Sequence, residues 1–582
     1  MKAVAVIQAR MTSSRFPGKV LRPLAGRPLL WHIVTRVARA AAVQQVVVAC
    51  STRAEDDALA RFCAESGVPC IRGSETDVLD RFRLAAQAFP AEIYVRICGD
   101  SPLVAPDWID RCVRALAAAS ADFARVEPGK RCVHEGVDVL SAEVLARLVR
   151  EVSSDPVARE HVTGYFKVNP SFARAVDVRV EPGEEGEARL SVDVPEDLEF
   201  FARLYAASGA GPGDLDVATA LAILRAQPDL RRINAGVRQR QAGDRPVTVF
   251  LYGEGGGAVG WGHLSRLAVL AGALRRAGAN PVIGYEGGAD VHDFFQRANL
   301  SSRALPEGAA RGDWLARQIS ATRAHVVLID TCGRLTATDV AAVRTAGVPV
   351  LLLDDTSERV RSADAVYNPP APQAAEPPAG YTGEWHAGWD AVPLREDFVT
   401  EFPPAAGRTL LVTMGGSDPC DFTARAVRAL AGLPELAEWR VRIVLGASYR
   451  GREGLERLLA ELPLAAELVV STSHMAREMA SARAVLLSFG VTAYEAAAAG
   501  RPMACFCLSD DHRRHASIFV RHGFAAVLGD DPAGDVATLR SWLSQLDAPV
   551  DRTPVMALRQ GTTRLVQAML RWAAPVAAGA AA

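Results

Sequence analysis

Short apolar runs alternate with helix-spaced segments along the chain, a pattern that predicts parallel α/β sheets. In the first half, residues 3–6, 45–50, 68–71 and 92–97 read as buried strands. Between them, 28–40, 55–66 and 77–88 have helical spacing, with Ser51 and Thr52 placed to cap the second helix. A further strand is predicted over 190–193, followed by a helix opened by Pro195, and a short helix over 217–225. The polar stretch 231–245 reads as a linker, after which strands restart at 247–251, 281–285, 325–330 and 348–353, with a long helix over 264–277. Tyr367-Asn368-Pro369 is expected to close that lobe, and strands at 409–414, 441–445, 467–470 and 483–487 to build another. The expected architecture is a doubly wound domain over 1–238, a linker at 239–246, and two Rossmann-like lobes over 247–405 and 406–575 facing a cleft.

In such sheets ligands sit beyond the carboxyl ends of the strands, and several of those ends carry chemistry. The first strand runs into a loop with Arg10, Ser13, Ser14, Arg15 and Lys19 and no acid, a composition suited to a polyphosphate; a solvated basic loop is the plainer reading. The fourth strand ends at Cys98-Gly99-Asp100, where Gly99 lets a ligand approach the backbone. Asp100 is either a Mg²⁺ ligand or the cap of the helix near Pro106. Asp193 lies just before the proline of a helix whose own Glu196 and Asp197 suit its dipole. In the second half, a glycine-rich stretch from Gly253 to Gly262 leads to His263 at a helix start, a position that favours the neutral imidazole and so a base, or simply a capping residue. Gly415-Gly416-Ser417 follows a strand, and Gly490 with Thr492 opens a helix; both suit phosphates. Glu495, one turn on, is a ribose ligand or an ordinary first-turn acid.

Composition narrows the field. The chain has 582 residues, 49% hydrophobic and 23% charged, so large cores are affordable, and its formal charge of −2 gives no reason to expect nucleic acid or an anionic membrane. The ten cysteines show no CxxC or zinc spacing, which fits free thiols in a reducing cytoplasm. No signal-peptide pattern opens the chain, and no run of about 18 apolar residues appears, so a cytoplasmic protein is expected.

Residues 1 to about 238 resemble the spore-coat polysaccharide cytidylyltransferase family, kin of the enzymes that make CMP-activated sialic, pseudaminic and 3-deoxy-manno-octulosonic acids. The resemblance is carried by Gln8-Ala9-Arg10 through Gly18-Lys19, Gly73-Ser74-Glu75 with Asp77 to Arg81, Arg96 to Leu103, Glu135-Gly136-Val137-Asp138, Arg159-Glu160-His161 and Val192 to Leu198. It implies a Rossmann-like nucleotidyltransferase domain in which Arg10, Ser14, Arg15 and Lys19 hold the phosphates of CTP. Asp100 and Asp193 would bind Mg²⁺, and Asp138, Arg159 and His161 would lie toward the acid sugar. Arg159 offers a guanidinium fork to the sugar carboxylate; His134 and His161 each remain open between a packing and a substrate role. The implied reaction is attack of a sugar hydroxyl on the α-phosphate with release of pyrophosphate, carried by charge stabilisation from Lys19 and Arg10. A homodimer through this domain is a further expectation.

Residues 247 to about 575 resemble the UDP-sugar hydrolase of pseudaminic acid synthesis, which acts on UDP-2,4-diacetamido-2,4,6-trideoxy-β-L-altropyranose. The carrying segments are Gly260-x-Gly-His263-x-x-Arg266, Leu328 to Asp330, Asp354-Asp355, Asn368-Pro369, Pro393 to Phe398, Met414 to Pro419, and Gly490 through Glu495 to Pro502. The resemblance implies a GT-B-like two-lobed module with no cofactor, in which His263 activates water at the anomeric carbon. Arg266 and Asp330 would lie at the sugar, and UDP would leave into the side formed by Gly416, Gly490 and Glu495. Two departures are plain: Tyr252-Gly253-Glu254 stands where the family has Arg-x-Asp, and Asp510-Asp511-His512 where it has Asn-Gln. Glu254 is the candidate replacement acid. A UDP-sugar-dependent glycosyltransferase, in which an acceptor hydroxyl takes the place of water, is the alternative reading.

Overall fold

The computed structural model describes the chain except residues 1, 14, 129, 131, 135, 182, 186–187, 238–246, 257–259, 332, 404, 406, 447, 471, 473, 530–531, 549 and 575–582. The linker expected at 239–246 lies outside the described residues. The chain forms two compact units, Met1–Pro246 with Arg275–Gly278, and Val247–Leu274 with Ala279–Ala582.

The first unit is a seven-stranded sheet of β1 (Ala3–Gln8), β2 (Val43–Ser51), β3 (Cys70–Gly73), β4 (Ile93–Cys98), β5 (Phe123–Val126), β6 (Val137–Ser141) and β7 (Ala175–Val178). Their order is β3-β2-β1-β4-β6-β5-β7. β1 is central and pairs in parallel with β2 and β4, with Ala3, Val4, Ala5, Val6 and Ile7 fully buried, as a near-continuous apolar run demands. β6 runs antiparallel to β4 and β5. Helices Leu29–Val37, Asp57–Glu65, Val78–Ala88 and Pro106–Ala119 connect the first strands.

Two expectations fail here. Ser51 does not cap the second helix: its hydroxyl donates to the buried Asp56 at 2.6 Å, and that carboxylate also accepts the Ser51 and Met11 backbone N–H groups at 2.8 and 2.6 Å. The run 190–193 is not a strand. Its Val192 N–H donates to the Asp100 carbonyl at 2.8 Å, so its neighbour is a loop rather than a ladder.

The second unit has two parallel sheets, one per lobe. The first contains β8 (Thr248–Glu254), β9 (Asn280–Glu286), β10 (Ser302–Ala304), β11 (Val326–Asp330), β12 (Val350–Leu353), β13 (Ala365–Asn368) and β14 (Glu384–Ala387), in the order β10-β9-β8-β11-β12-β13-β14. The second contains β15 (Thr409–Thr413), β16 (Arg440–Leu445), β17 (Ala466–Val470), β18 (Ala484–Ser488), β19 (Met503–Phe506) and β20 (Ala525–Val527), in the order β17-β16-β15-β18-β19-β20. This is the two-lobed GT-B-like α/β arrangement. Asn368 does not close the first lobe, because β14 adds beyond it in parallel register. Nor is residue 405 a clean boundary: Val392, Leu394 and Phe398 sit in one apolar cluster with Leu411, Val485 and Leu487 of the second lobe. The last helix, Thr553–Trp572, also crosses, exchanging hydrogen bonds between the Thr562 hydroxyl and the Leu394 backbone at 2.7 and 2.8 Å. No helix among the described residues is long and apolar enough to cross a membrane.

Candidate functional sites

In the first unit, three distant pieces of chain meet beyond β1 and β4. Lys19 opens a single 3₁₀ turn, Lys19–Leu21, and its Nζ lies 3.0 Å from Asp100, 3.1 Å from Asp193 and 2.6 Å from the Val192 carbonyl. Arg15 reaches the other Asp193 oxygen at 2.8 Å. Arg189 touches that oxygen at 2.8 Å and Asp197 at 3.0 Å. Burial alone would raise the Asp193 carboxyl; Lys19, Arg15 and Arg189 hold it well below the ordinary carboxylate range. Burial alone would depress Lys19; Asp100 and Asp193 raise it instead.

Asp100 is therefore not a helix cap. The helix Pro106–Ala119 is entered through Ala105, which carries no side-chain cap. Gly99 is needed for packing: a Cβ there would stand 2.7 Å from the Gln8 carbonyl oxygen. Arg10 is exposed on the same loop, and Ser14 lies outside the described residues.

Two of the residues assigned to the sugar side are held by other side chains of the unit. Asp138 accepts from Arg96 at 2.6 Å and from Thr163 at 2.7 Å. Arg159 pairs with Asp77 at 3.0 Å, and His161 ends the helix Pro156–His161. His134 has a packing role: it is buried, stacks on Trp108 at 4.9 Å and faces Glu184 at 3.2 Å.

In the second unit, His263 lies in the first turn of the helix Gly262–Arg276, beside the ends of β11 and β12. Its Nδ1 is 2.6 Å from Asp330, which is fully buried. Arg266, one turn on, donates to both Asp330 oxygens at 2.6 and 2.8 Å and to Asp354 at 2.7 Å. Its Nη2 also lies 2.9 Å from His263 Nδ1; the ionised Asp330 can only accept, so its 2.6 Å contact places the hydrogen on Nδ1, which then does not accept from Arg266. The lone pair of the neutral ring is then on Nε2. Burial would raise Asp330, but Arg266 and His263 hold it below its usual range. Asp354 adopts φ 59°, a left-handed conformation that is uncommon for a non-glycine residue.

Glu254 departs from its expected role. It is completely buried and accepts from the Thr331 hydroxyl and, at 3.2 Å, from the Gly333 backbone, so it braces the loop after β11 rather than facing a sugar. Glu495 departs too: buried on the helix Val491–Ala498, it makes a two-point ion pair with Arg395 at 2.6 and 2.8 Å. A desolvated carboxylate needs such a partner, and Arg395 supplies it. Gly415, Gly416 and Ser417 form the turn after β15, with Gly416 facing Trp261 of the first lobe: a Cβ there would lie 3.2 Å from the indole. Gly490 and Thr492 stand half-buried at the start of the helix after β18.

Residues 4–227 match the family profile described as Cytidylyltransferase. The spore coat polysaccharide biosynthesis protein SpsF of Bacillus subtilis (strain 168) is 33% identical over 231 residues, 38% of this chain and 94% of that protein. The chain belongs to the cytidylyltransferase family. A 3-deoxy-manno-octulosonate cytidylyltransferase of Pelobacter propionicus is 35% identical over 148 residues, 25% of this chain and 55% of that protein. Over 56% of the chain, the crystal structure of Acinetobacter baumannii MurG aligns along 100% of its own length, at 16% identity and a TM-score of 0.42.

Within the cytidylyltransferase unit, Arg189, Asp197 and Arg96 escaped the sequence reading. Asp197 looked like a dipole residue; its carboxylate in fact accepts the Asp193 and Val194 backbone N–H groups at 2.8 and 3.0 Å and the Asn234 amide at 3.0 Å. The signal available was spacing: Arg189, Asp193 and Asp197 lie four apart on either side of Pro195.

The donor set suits Mg²⁺. Two carboxylates from separate segments converge on one point, and no cluster of three or more His, Cys, Asp or Glu able to hold a metal occurs among the described residues. Mg²⁺ takes one or two carboxylates and completes its shell with phosphate oxygens and water.

Proposed function

We propose that the cytidylyltransferase unit transfers CMP from CTP to a hydroxyl of an acid sugar. The observation that carries this reading is the convergence of Lys19, Arg15, Asp100 and Asp193 at one end of the sheet. Lys19, Arg15 and the exposed Arg10 bind and orient the triphosphate and offset the charge that builds on the leaving pyrophosphate. Asp100 and Asp193 would hold Mg²⁺, which supplies Lewis-acid polarisation of the α-phosphate. The sugar oxygen bonds to the α-phosphorus as the bond to the bridging oxygen breaks; the hydroxyl proton passes to solvent. Arg159 and His161 are assigned to the acid sugar, with Asp138 kept in place by Arg96 and Thr163. The test is incubation with CTP, Mg²⁺ and a panel of nonulosonic acids while pyrophosphate is followed. Asp193→Asn is expected to lower turnover by about 10²–10³-fold, the scale of losing one electrostatic group in a preorganised site. No pyrophosphate with any acid sugar overturns the reading.

For the second unit we infer hydrolysis of a UDP-sugar, supported by the His263–Asp330 contact at 2.6 Å. His263 Nε2 takes a proton from water, the water oxygen bonds to the anomeric carbon, and UDP departs with the electrons of the broken C–O bond. Glycosyl transfer uses the same base on an acceptor hydroxyl. It is favoured by one observation, the buried Glu254, which leaves the position of the family's acid without a group facing the sugar. UDP release from UDP-sugars with no acceptor present, abolished in His263→Ala, supports hydrolysis; release only when an acceptor is added supports transfer.

A further inference from the structure

We propose that Lys19 is the built-in counter-cation of the Asp100–Asp193 pair, so that a divalent metal enters only together with a triphosphate that draws Lys19 away. This rests on the CTP reading above.

The ammonium carries three hydrogens, and three acceptors surround it: Asp100 at 3.0 Å, Asp193 at 3.1 Å and the Val192 carbonyl at 2.6 Å. Around it the charges balance. Lys19, Arg15 and Arg189 face Asp100, Asp193 and Asp197, three cations against three carboxylates, in ion pairs of 2.8–3.1 Å. Lys19 and Arg15 are both buried, and Asp197 is fully so.

A metal arriving alone must displace the ammonium from both carboxylates. It then adds two positive charges to a neutral cluster and strands a buried cation. A triphosphate changes that balance, because its oxygens accept the ammonium and the carboxylates are released for the metal. The lysine stem allows the exchange: four rotatable carbons carry a compact charge, whereas Arg15 and Arg189 each keep a 2.8 Å contact to the other Asp193 oxygen. Metal and nucleotide affinities are therefore coupled, and by linkage the coupling is reciprocal.

The test uses Mn²⁺ as a paramagnetic probe with the full chain and no nucleotide. Lys19→Met should bind Mn²⁺ at least about tenfold more tightly than the natural chain, within the usual range of site-to-site coupling. Equal affinity overturns the proposal. Lys19→Gln serves as a second variant if Lys19→Met fails to give a native circular dichroism spectrum. A measurement on the natural chain needs no variant: Mg²⁺ and CTP together should raise the melting temperature by more than the sum of their separate shifts. Merely additive shifts, with CTP bound, overturn the exchange and leave the CTP reading standing. No shift with both present overturns the two together.

Discussion

Asp193 and Lys19 are shifted in opposite directions, and the signs set where each contributes to stability. The folded Asp193 pKa lies below its unfolded value of about 3.9, so its ion pairs contribute fully above about pH 4 and are lost as pH falls through the lowered value. The folded Lys19 pKa lies above its unfolded value of about 10.4, so its contribution is complete below about pH 10 and is lost as pH rises through the raised value. Earlier losses on acidification come from His32, His134 and His512, whose pKa values burial lowers; His32 shows the cause. It is fully buried, contacts the Leu24 carbonyl through Nε2 at 2.8 Å and accepts the Gly213 N–H at Nδ1 at 3.1 Å, and burial lowers its pKa. A lowered folded value means stability present above the unfolded pKa of about 6.5 and lost as pH falls. Denaturant midpoints measured between pH 8 and 4 are expected to decline below about 6.5, and His32→Gln to remove its share of that decline, leaving the part due to His134 and His512. In the second unit, Asp330→Asn removes the partner of both His263 and the buried Arg266. It is expected to cost about 3–5 kcal/mol in a denaturant titration and to reduce the UDP release proposed for this unit by about 10²–10⁴-fold.

At the scale of elements, packing against backbone sets the tightest limits. Gly561, inside the helix Thr553–Trp572, faces the Val392 carbonyl so closely that a Cβ would clash with its oxygen. Alanine would gain about 1 kcal/mol of helix propensity, but a backbone oxygen cannot rotate aside. Gly561→Ala is expected to destabilise the second unit by about 1–3 kcal/mol net, read as a shifted urea midpoint. The strands were legible in the sequence because buried parallel strands are written as unbroken apolar runs, as at Ala3 to Ile7 and Val326 to Ile329. The run ending at Asp193 misled for the same reason: Leu190 and Val192 are buried, yet by a loop contact and not by a ladder. The site acids were legible by kind, since a carboxylate at a strand end invites a ligand. Whether it faces a ligand or a bracing hydroxyl was not. Glu254 and Glu495 are settled by Thr331 and by Arg395, residues 77 and 100 positions away. The strand β14 and the crossing of 392–398 were hidden because neither has a long apolar run to announce it.

At the scale of the whole molecule, each apolar cluster among the described residues lies within one unit. The family profile spans residues 4–227 and the Bacillus subtilis protein aligns along 94% of its length, so the first unit has the extent of an independent protein. Residues 1–237 alone are expected to fold and to retain pyrophosphate release with CTP within about a few-fold of the full chain, as a domain with its own core should. Circular dichroism and the pyrophosphate assay check this. The second unit is less divisible. The Thr562 hydroxyl is clasped to Leu394, Arg571 reaches Glu384 of β14, and Arg559 holds the Ala498 carbonyl of the other lobe at 3.1 Å. A ribosome building this chain delivers both lobes before the segment that ties them. Until Trp572 has emerged, the Glu384 edge and the Val392 backbone wait uncovered, and a nascent chain stalled short of that point should be the form most readily captured by chaperones or cut by protease.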